Sequence, residues 1–304
     1  MDGAQVMPLE QRQPPQVAAR SRAGGVAMLV VASALWSLSG VAVKTIKLPP
    51  ITFTLYRSLG AAAAMAAMVP VLGGRWPRAG WMGASAGLYV AVVTLLIMAM
   101  TLSTAAVGIL LQYTAPVWCA LLAWMFLRRR IDGRTGVALG VAAIGVAVMI
   151  AGQPRGSGWV GPTYGVLSGI AFGGLILVLD RLDRTAGGQV NPALVVLFNN
   201  LGAVAVLGLM AIVQHQWVAP GWKVGAVLAV GVVQLALPYV LFQFALRRVT
   251  PVDASLLTLL EPVLNPVWVA LVTPERPDAA TYVGGAAILV ALVLEATKKA
   301  HGAG

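Results

Sequence analysis

The sequence has 1 cysteine, 2 histidines and only 10 acidic residues in 304. A single cysteine, Cys119, permits no intramolecular disulfide, and its place inside an apolar run reads as a small packing residue. The histidines, His215 and His301, fall in a loop and in the C-terminal tail, so no apolar run carries the imidazole that a metal centre or a Ser-His-Asp triad needs. A phosphate-cradling Gly-rich loop ending in Lys-Ser/Thr is also missing, so ATP-driven work would need a separate subunit. Neither an enzyme nor a bound cofactor is therefore expected. Charged residues make up 10% of the chain, against about a quarter in soluble proteins, and 59% of residues are hydrophobic. That balance excludes a soluble domain and points to a polytopic protein whose main partner is the lipid bilayer. The net charge of +11 does not indicate nucleic acid, because the basic residues sit singly or in short groups between apolar runs.

What is present is a succession of apolar runs, each long enough to cross a bilayer at about 17–25 residues. Spans are expected at 24–46, 51–73, 80–101, 104–127, 134–151, 160–180, 192–213, 223–246, 253–273 and 277–297, with short loops that leave no room for an extramembrane domain. Residues 1–22, rich in Gln, Pro and Arg, read as a disordered tail, and 298–304 as a second tail. Ala32-Ser33-Ala34 resembles a signal-peptide cleavage site, but the apolar run continues beyond it, which predicts an uncleaved first helix. Lys and Arg accumulate in cytoplasmic loops. Arg75, Arg78, Arg128, Arg129, Arg130, Arg134, Arg181, Arg184, Arg247 and Arg248 share one side with both tails, while Lys44, Lys47, Arg155, Lys223 and Arg276 fall on the other. Both termini are thus expected in the cytoplasm.

The halves repeat in order. Tyr56-Arg57-Ser58-Leu59-Gly60-Ala61 is answered by Phe198-Asn199-Asn200-Leu201-Gly202-Ala203, Gly80-Trp81 by Gly221-Trp222, and Gly140-Val141-Ala142-Ala143-Ile144 by Gly284-Gly285-Ala286-Ala287-Ile288. The expected fold class is an all-α membrane protein of ten transmembrane helices, built as two five-helix repeats over 23–153 and 154–297. Five being odd, the second repeat enters the membrane inverted, the usual architecture of alternating-access carriers. Gly161, Gly165, Gly169 and Gly173 recur every four residues and predict close helix packing, as do Gly136/Gly140 and Gly83/Gly87.

Polar residues within the apolar runs mark the candidate site. Leu110-Leu111-Gln112-Tyr113-Thr114-Ala115-Pro116-Val117-Trp118 returns as Leu260-Glu261-Pro262-Val263-Leu264-Asn265-Pro266-Val267-Trp268. Glu261 is the one acid deep in a span, where an ionised carboxylate needs a partner or water. Thr258 and Asn265 lie one turn either side of it. Glu261 either lines a cavity or closes a helix-to-helix hydrogen bond, with Arg57 or Asn199 as partner. Gln112 and Tyr113 occupy the matching stretch, and Pro116, Pro262 and Pro266 each leave a carbonyl without its helical donor. Such carbonyls either meet a substrate or are satisfied by neighbouring hydroxyls. Gln234, Pro238, Tyr239 and Gln243 form a further kinked polar segment, and Trp36 and Tyr89 are candidate aromatic walls or packing residues. Pro116, Pro238, Pro262 and Pro266 are the expected hinges.

Trp36, Gly40 and Lys44 in the first span, Arg57 opening Arg-Ser-Leu-Gly, the two Pro-Val-Trp segments, and Pro274-Glu275-Arg276 before a Gly-rich last span together resemble the drug/metabolite transporter superfamily, and within it the EamA-type exporters. The likeness runs over nearly the whole chain. It implies a secondary carrier in the bacterial inner membrane that exports amino acids, aromatic ones included, with oligomeric state left open. Carriage of a sugar or drug by the same fold, or a membrane enzyme or scaffold, are the alternatives. The family usually has a Glu after both matching helices, whereas the first copy here reads Arg128-Arg129-Arg130-Ile131.

Overall fold

In lipid a backbone must satisfy its own polar groups, and helices do so within one segment. The computed structural model is all-helical, with one isolated backbone bridge, between Arg75 and Val190, among the described residues. Described are residues 15–77, 79–128, 131, 133–152, 159–187, 189–246, 248–249, 254 and 257–301, the side chains of 15–21 and 295–301 excepted. Residues 1–14 and 302–304 of the two tails, together with Arg78, Arg129, Arg130, Arg155 and Arg247, lie outside that set.

The helices are α1 (Pro15–Trp36), α2 (Ser39–Ile46), α3 (Pro50–Leu72), α4 (Ala79–Leu102), α5 (Ala105–Gln112), α6 (Ala115–Leu127) and α7 (Gly133–Ala151) in the first half. The second half holds α8 (Val160–Thr185), α9 (Pro192–Val213), α10 (Gly221–Val230), a π-helical segment (Gly231–Ala236), α11 (Leu237–Ala245), α12 (Leu260–Val272) and α13 (Ala279–His301). α1 begins inside the stretch expected to be a tail. Among the described residues eight segments are long and apolar enough to cross a bilayer, against the ten expected of the whole chain. α12 and the apolar part of α13, Ala279–Leu294, are shorter, and most of the chain just before α12 is outside the described residues.

Local chemistry sets the ends. α3 follows Leu48-Pro49-Pro50, where each residue before a proline is driven out of the helical region, and Pro50 then starts the helix because its missing N–H is not needed there. Thr104 caps α5 by accepting from the Val107 N–H at 3.1 Å, and Asn191 caps α9 by accepting from Ala193 and Leu194. Between α1 and α2 the chain turns at Ser37-Leu38, where the Ser37 hydroxyl donates to the Ala34 carbonyl at 2.7 Å.

Helices in lipid gain little from excluding water, so small residues and polar ties decide the packing. The most extensive pairings are α4 with α8, α7 with α13 and α3 with α9. The Gly161–Gly173 row lies as expected against α5 and α6: a Cβ on Gly169 would stand 2.8 Å from the Leu111 carbonyl oxygen, and one on Gly173 2.7 Å from the Cys119 nitrogen. α7 and α13 touch backbone to backbone, a Cβ on Gly145 meeting the Gly284 oxygen at 2.6 Å. The same expectation fails for Gly83, Gly87, Gly136 and Gly140, which have nothing within 4 Å. Their spacing reproduces the motif on faces turned outward. Phe126, Leu209, Ile212, Val213 and Leu271 are mostly exposed as well, an apolar belt suited to lipid.

Lys44, Lys47, Ser103, Gln216, Trp217, Lys223 and Glu275 gather at one end of the bundle. Tyr56 donates to the Trp217 carbonyl at 2.6 Å, Lys223 to that of Lys47 at 3.2 Å, and Thr52 to that of Gln216. Arg75 and the 189–191 strand-like stretch join at the opposite end, the Arg75 N–H donating to the Gln189 carbonyl at 2.6 Å.

Candidate functional site

Two helix interruptions face each other inside the bundle. The first span of the pair breaks at Tyr113-Thr114, between α5 and α6, and the second at Leu259, just before α12. Pro116 and Pro262 lie in the first turns after these breaks, where a helix has unpaired N–H groups anyway and proline costs least. Across the gap Tyr113 Oη donates to Glu261 Oε2 at 2.6 Å and lies 3.3 Å from the Thr258 carbonyl oxygen, the one that Pro262 deprives of its helical donor. Tyr113, Thr258 and Glu261 are all half-buried.

Arg57 of α3 joins this cluster. Only 3% exposed, it stands within electrostatic range of Glu261 and Tyr89. Its Nε has no hydrogen-bond partner. Beside it Tyr89 Oη donates to Asn200 Oδ1 at 3.0 Å, and Tyr239, one turn before Gln243, stands within electrostatic range of Tyr89. Tyr239 and Gln243 also line a cavity of about 590 Å³ that continues past Val195, Leu182 and Asp183 to Gly73 and Gln189 at the Arg75 end. Tyr239 thus lies both at this cavity and within electrostatic range of Tyr89, whereas Arg57, Tyr89, Tyr113 and Glu261 do not line it.

Other expected site residues are committed to neighbouring helices. Gln112, 6% exposed, donates through Nε2 to Ser168 Oγ at 3.1 Å, and Ser168 in turn to the Val92 carbonyl at 2.9 Å. Asn265, fully buried, donates to the Ser37 carbonyl at 2.9 Å and to Ser39 Oγ at 3.0 Å. Gln234, in the π segment, donates to the Trp36 carbonyl at 3.0 Å, and Trp268 Nε1 to Ser37 Oγ at 2.9 Å. The α1–α2 break is therefore held from two sides. The Trp36 ring packs against Phe242, centroids 5.7 Å apart. Of the expected hinges, Pro238 opens α11 directly after the π segment, but Pro266 stands inside α12, which continues through it. Asn265 anchors that turn to the first span, so the one missing backbone bond does not open it.

A second polar tie lies at the Lys44 end, beside a cavity of about 550 Å³ lined by Lys44, Lys47 and Glu275 among others. Lys44 Nζ meets Glu275 Oε2 at 2.6 Å and the Ser103 carbonyl at 2.7 Å, while Glu275 Oε1 accepts from the Ala105 N–H at 2.7 Å. Lys44, Glu275, Ser168, Asn200 and above all Arg57 were not among the expected site residues. Arg57 carries the signal that would have found it: it is a cation well inside a span, where ionisable groups are functional candidates by default. No group of three or more His, Cys, Asp or Glu side chains able to hold a metal occurs among the described residues.

The family model described as the EamA-like transporter family matches residues 23–151 and again 159–296. A curated relative, an uncharacterized transporter of Archaeoglobus fulgidus, is 27% identical over 192 residues, or 62% of this chain. The match spans 66% of that relative's length, just under two thirds. A crystal structure of another protein shares the fold with a TM-score of 0.61 at 20% identity, over 90% of this chain and 97% of the other. Matched twice and nearly from end to end by that model, the chain belongs to the EamA-like transporter family.

Proposed function

We propose that the protein is a secondary carrier that exports amino acids, aromatic ones included, across the bacterial inner membrane by alternating access. The observation that carries the proposal is the cluster of Arg57, Tyr89, Tyr113 and Glu261 beside two broken helices, with a cavity at the Arg75 end that extends to Tyr239 and Gln243 and the Lys44–Glu275 tie at the other end. A carrier needs an interior polar site open to one side at a time, with elements beside it that bend while their flanking turns stay helical. Tyr89, Tyr113 and Tyr239 supply aromatic walls, and Arg57 and Glu261 supply one charge of each sign. Substrate enters from the Arg75 end, which the Lys and Arg distribution places in the cytoplasm together with both termini.

The chain crosses the membrane ten times as two inverted units. Support comes from the two matches to one family model and from paired contacts that mirror each other. A Cβ on Gly60 would meet Leu228 of α10, and one on the corresponding Gly202 would meet Ala86 of α4. Gln112 ties its helix to Ser168 as Asn265 ties its own to Ser39.

Counterflow of labelled amino acids into proteoliposomes tests the substrate reading. Saturable uptake of phenylalanine or tyrosine is expected. Folded protein that takes up no amino acid defeats it, and uptake of a sugar or a drug alone would assign the same site to another solute.

A further inference from the structure

Arg57 is only 3% exposed, and its Nε is buried without a hydrogen-bond partner. A guanidinium has five N–H donors in a planar fork matched to carboxylate geometry and is charged at any physiological pH. Buried without a partner, it bears the full cost of lost hydration, so such groups are held only where an anion or water completes them. The nearby acid does not do so: Glu261 receives its hydrogen bond from Tyr113 and forms no ion pair with Arg57.

Nor is the arginine free to swing away. α3 crosses the π segment in backbone contact, where a Cβ on Gly231 would stand 2.1 Å from the Arg57 carbonyl oxygen and one on Gly60 2.2 Å from that of Leu228. π-helical turns are frequent at functional sites. Here the turn is held by Gln234 on the Trp36 carbonyl, so the backbone carrying Arg57 is fixed against the break in the first span.

We infer that Arg57 is the carboxylate-binding group of the transport site, holding the substrate's carboxylate in its N–H fork while Glu261 faces the substrate's ammonium across the gap. The inference rests on the amino acid reading for the ammonium half, whereas the carboxylate half requires only an organic acid. Tyr89 and Tyr113 flank the two charged groups and take the side chain. An α-zwitterion then neutralises both buried charges at once, which neither an amine nor an amide does.

The test is equilibrium binding to the purified full-length protein in detergent, with four probes: phenylalanine, phenylalaninamide, 3-phenylpropionate and phenethylamine. A hydrogen-bonded charge pair is worth roughly ten- to hundredfold in affinity. Wild type is expected to prefer phenylalanine over phenylalaninamide by about that factor. Arg57→Gln should reduce the preference to within about threefold, and Arg57→Lys, which keeps the cation but loses the fork, should leave an intermediate preference. A merely structural arginine would weaken all four probes alike. Acid-over-amide preference retained in Arg57→Gln, or binding of neither carboxylate-bearing probe by wild type, overturns the inference. Should neither variant fold, equal affinity of wild type for phenylalanine and its amide overturns it too. Binding of 3-phenylpropionate without phenylalanine would instead reject the amino acid reading and keep Arg57 as the carboxylate site.

Discussion

Glu275→Gln is predicted to loosen the Lys44 end of the bundle, the outer end on the proposed orientation. The carboxylate makes two contacts, an ion pair to Lys44 at 2.6 Å and acceptance of the Ala105 N–H at 2.7 Å, and both charged side chains are only 18% exposed. Glutamine preserves the volume and can still accept from Ala105, so the substitution isolates the charge. Losing one partner of a sheltered, hydrogen-bonded pair costs about 1–3 kcal/mol, which converts to roughly 5- to 150-fold in the balance between closed and open outer ends. The reporter is a cysteine at Val269, 2% exposed, whose carbonyl accepts from Thr273 one turn below the tie and whose side chain abuts Gly40. In a Cys119→Ala background, a membrane-impermeant maleimide added outside cells should modify Val269→Cys about tenfold faster once Glu275→Gln is introduced. Lys44→Met should act in the same direction. Labelling unchanged in both folded variants would show that the tie does not hold the outer end shut, and the one-sided picture of access would go with it.

The Gly60/Gly231 crossing and the topology can be tested more simply. Gly60→Ala and Gly231→Ala each drive a methyl into backbone at 2.2 and 2.1 Å, where no side chain can yield, so each should lower thermal stability by about 1–3 kcal/mol or more. Gly83→Ala and Gly140→Ala, with nothing within 4 Å, should stay within about 0.5 kcal/mol; equal losses in both sets would contradict the close crossing. For topology, cysteines replacing Gln214 and Arg184 should be modified from the periplasm and from the cytoplasm respectively. Modification of both from one side rules out the inverted arrangement.

Composition and periodicity made the helical membrane fold legible, because a run of apolar residues has few other ways to satisfy its backbone. The site was legible only in part. Glu261 and Tyr113 stand out as polar groups in apolar runs, and the structure brings them to 2.6 Å. Gln112 precedes Tyr113 directly, yet the turn at Tyr113-Thr114 ends the regular 3.6-residue rotation there, and Gln112 is left facing Ser168 on α8. No periodicity argument survives a break of that kind. Asn265 is on the same continuous helix as Glu261, one turn on, but that turn meets the Ser37 break while Glu261 meets Tyr113. What a polar residue does depends on the helix opposite, and sequence spacing is silent about that partner. Beyond its place in the repeat and in the family motifs, Arg57 enters the sequence reading only as a possible hydrogen-bond partner of Glu261, whereas in the packed structure that bond is made by Tyr113 and the Arg57 Nε is left without a partner.

The departure noted in the sequence also bears on how the two ends are held. On the inverted-repeat reading, the end of the first repeat's fourth span should offer at the Arg75 end what Glu275 offers at the Lys44 end. It offers Arg128 in place of an acid. At the Lys44 end three elements, α2, the start of α5 and the 273–278 loop, converge on one carboxylate that accepts both an ammonium and a backbone N–H. A cation at the corresponding place can accept neither, and with Arg181 and Arg184 at the same end it adds like charge. The end that keeps the acid holds this tie beside a cavity of about 550 Å³, and the end that lost it bears a cavity of about 590 Å³ extending to Tyr239 and Gln243. On that reading the two ends differ at a single kind of contact, and Glu275 gives the Lys44 end a tie that Arg128 does not offer at the other.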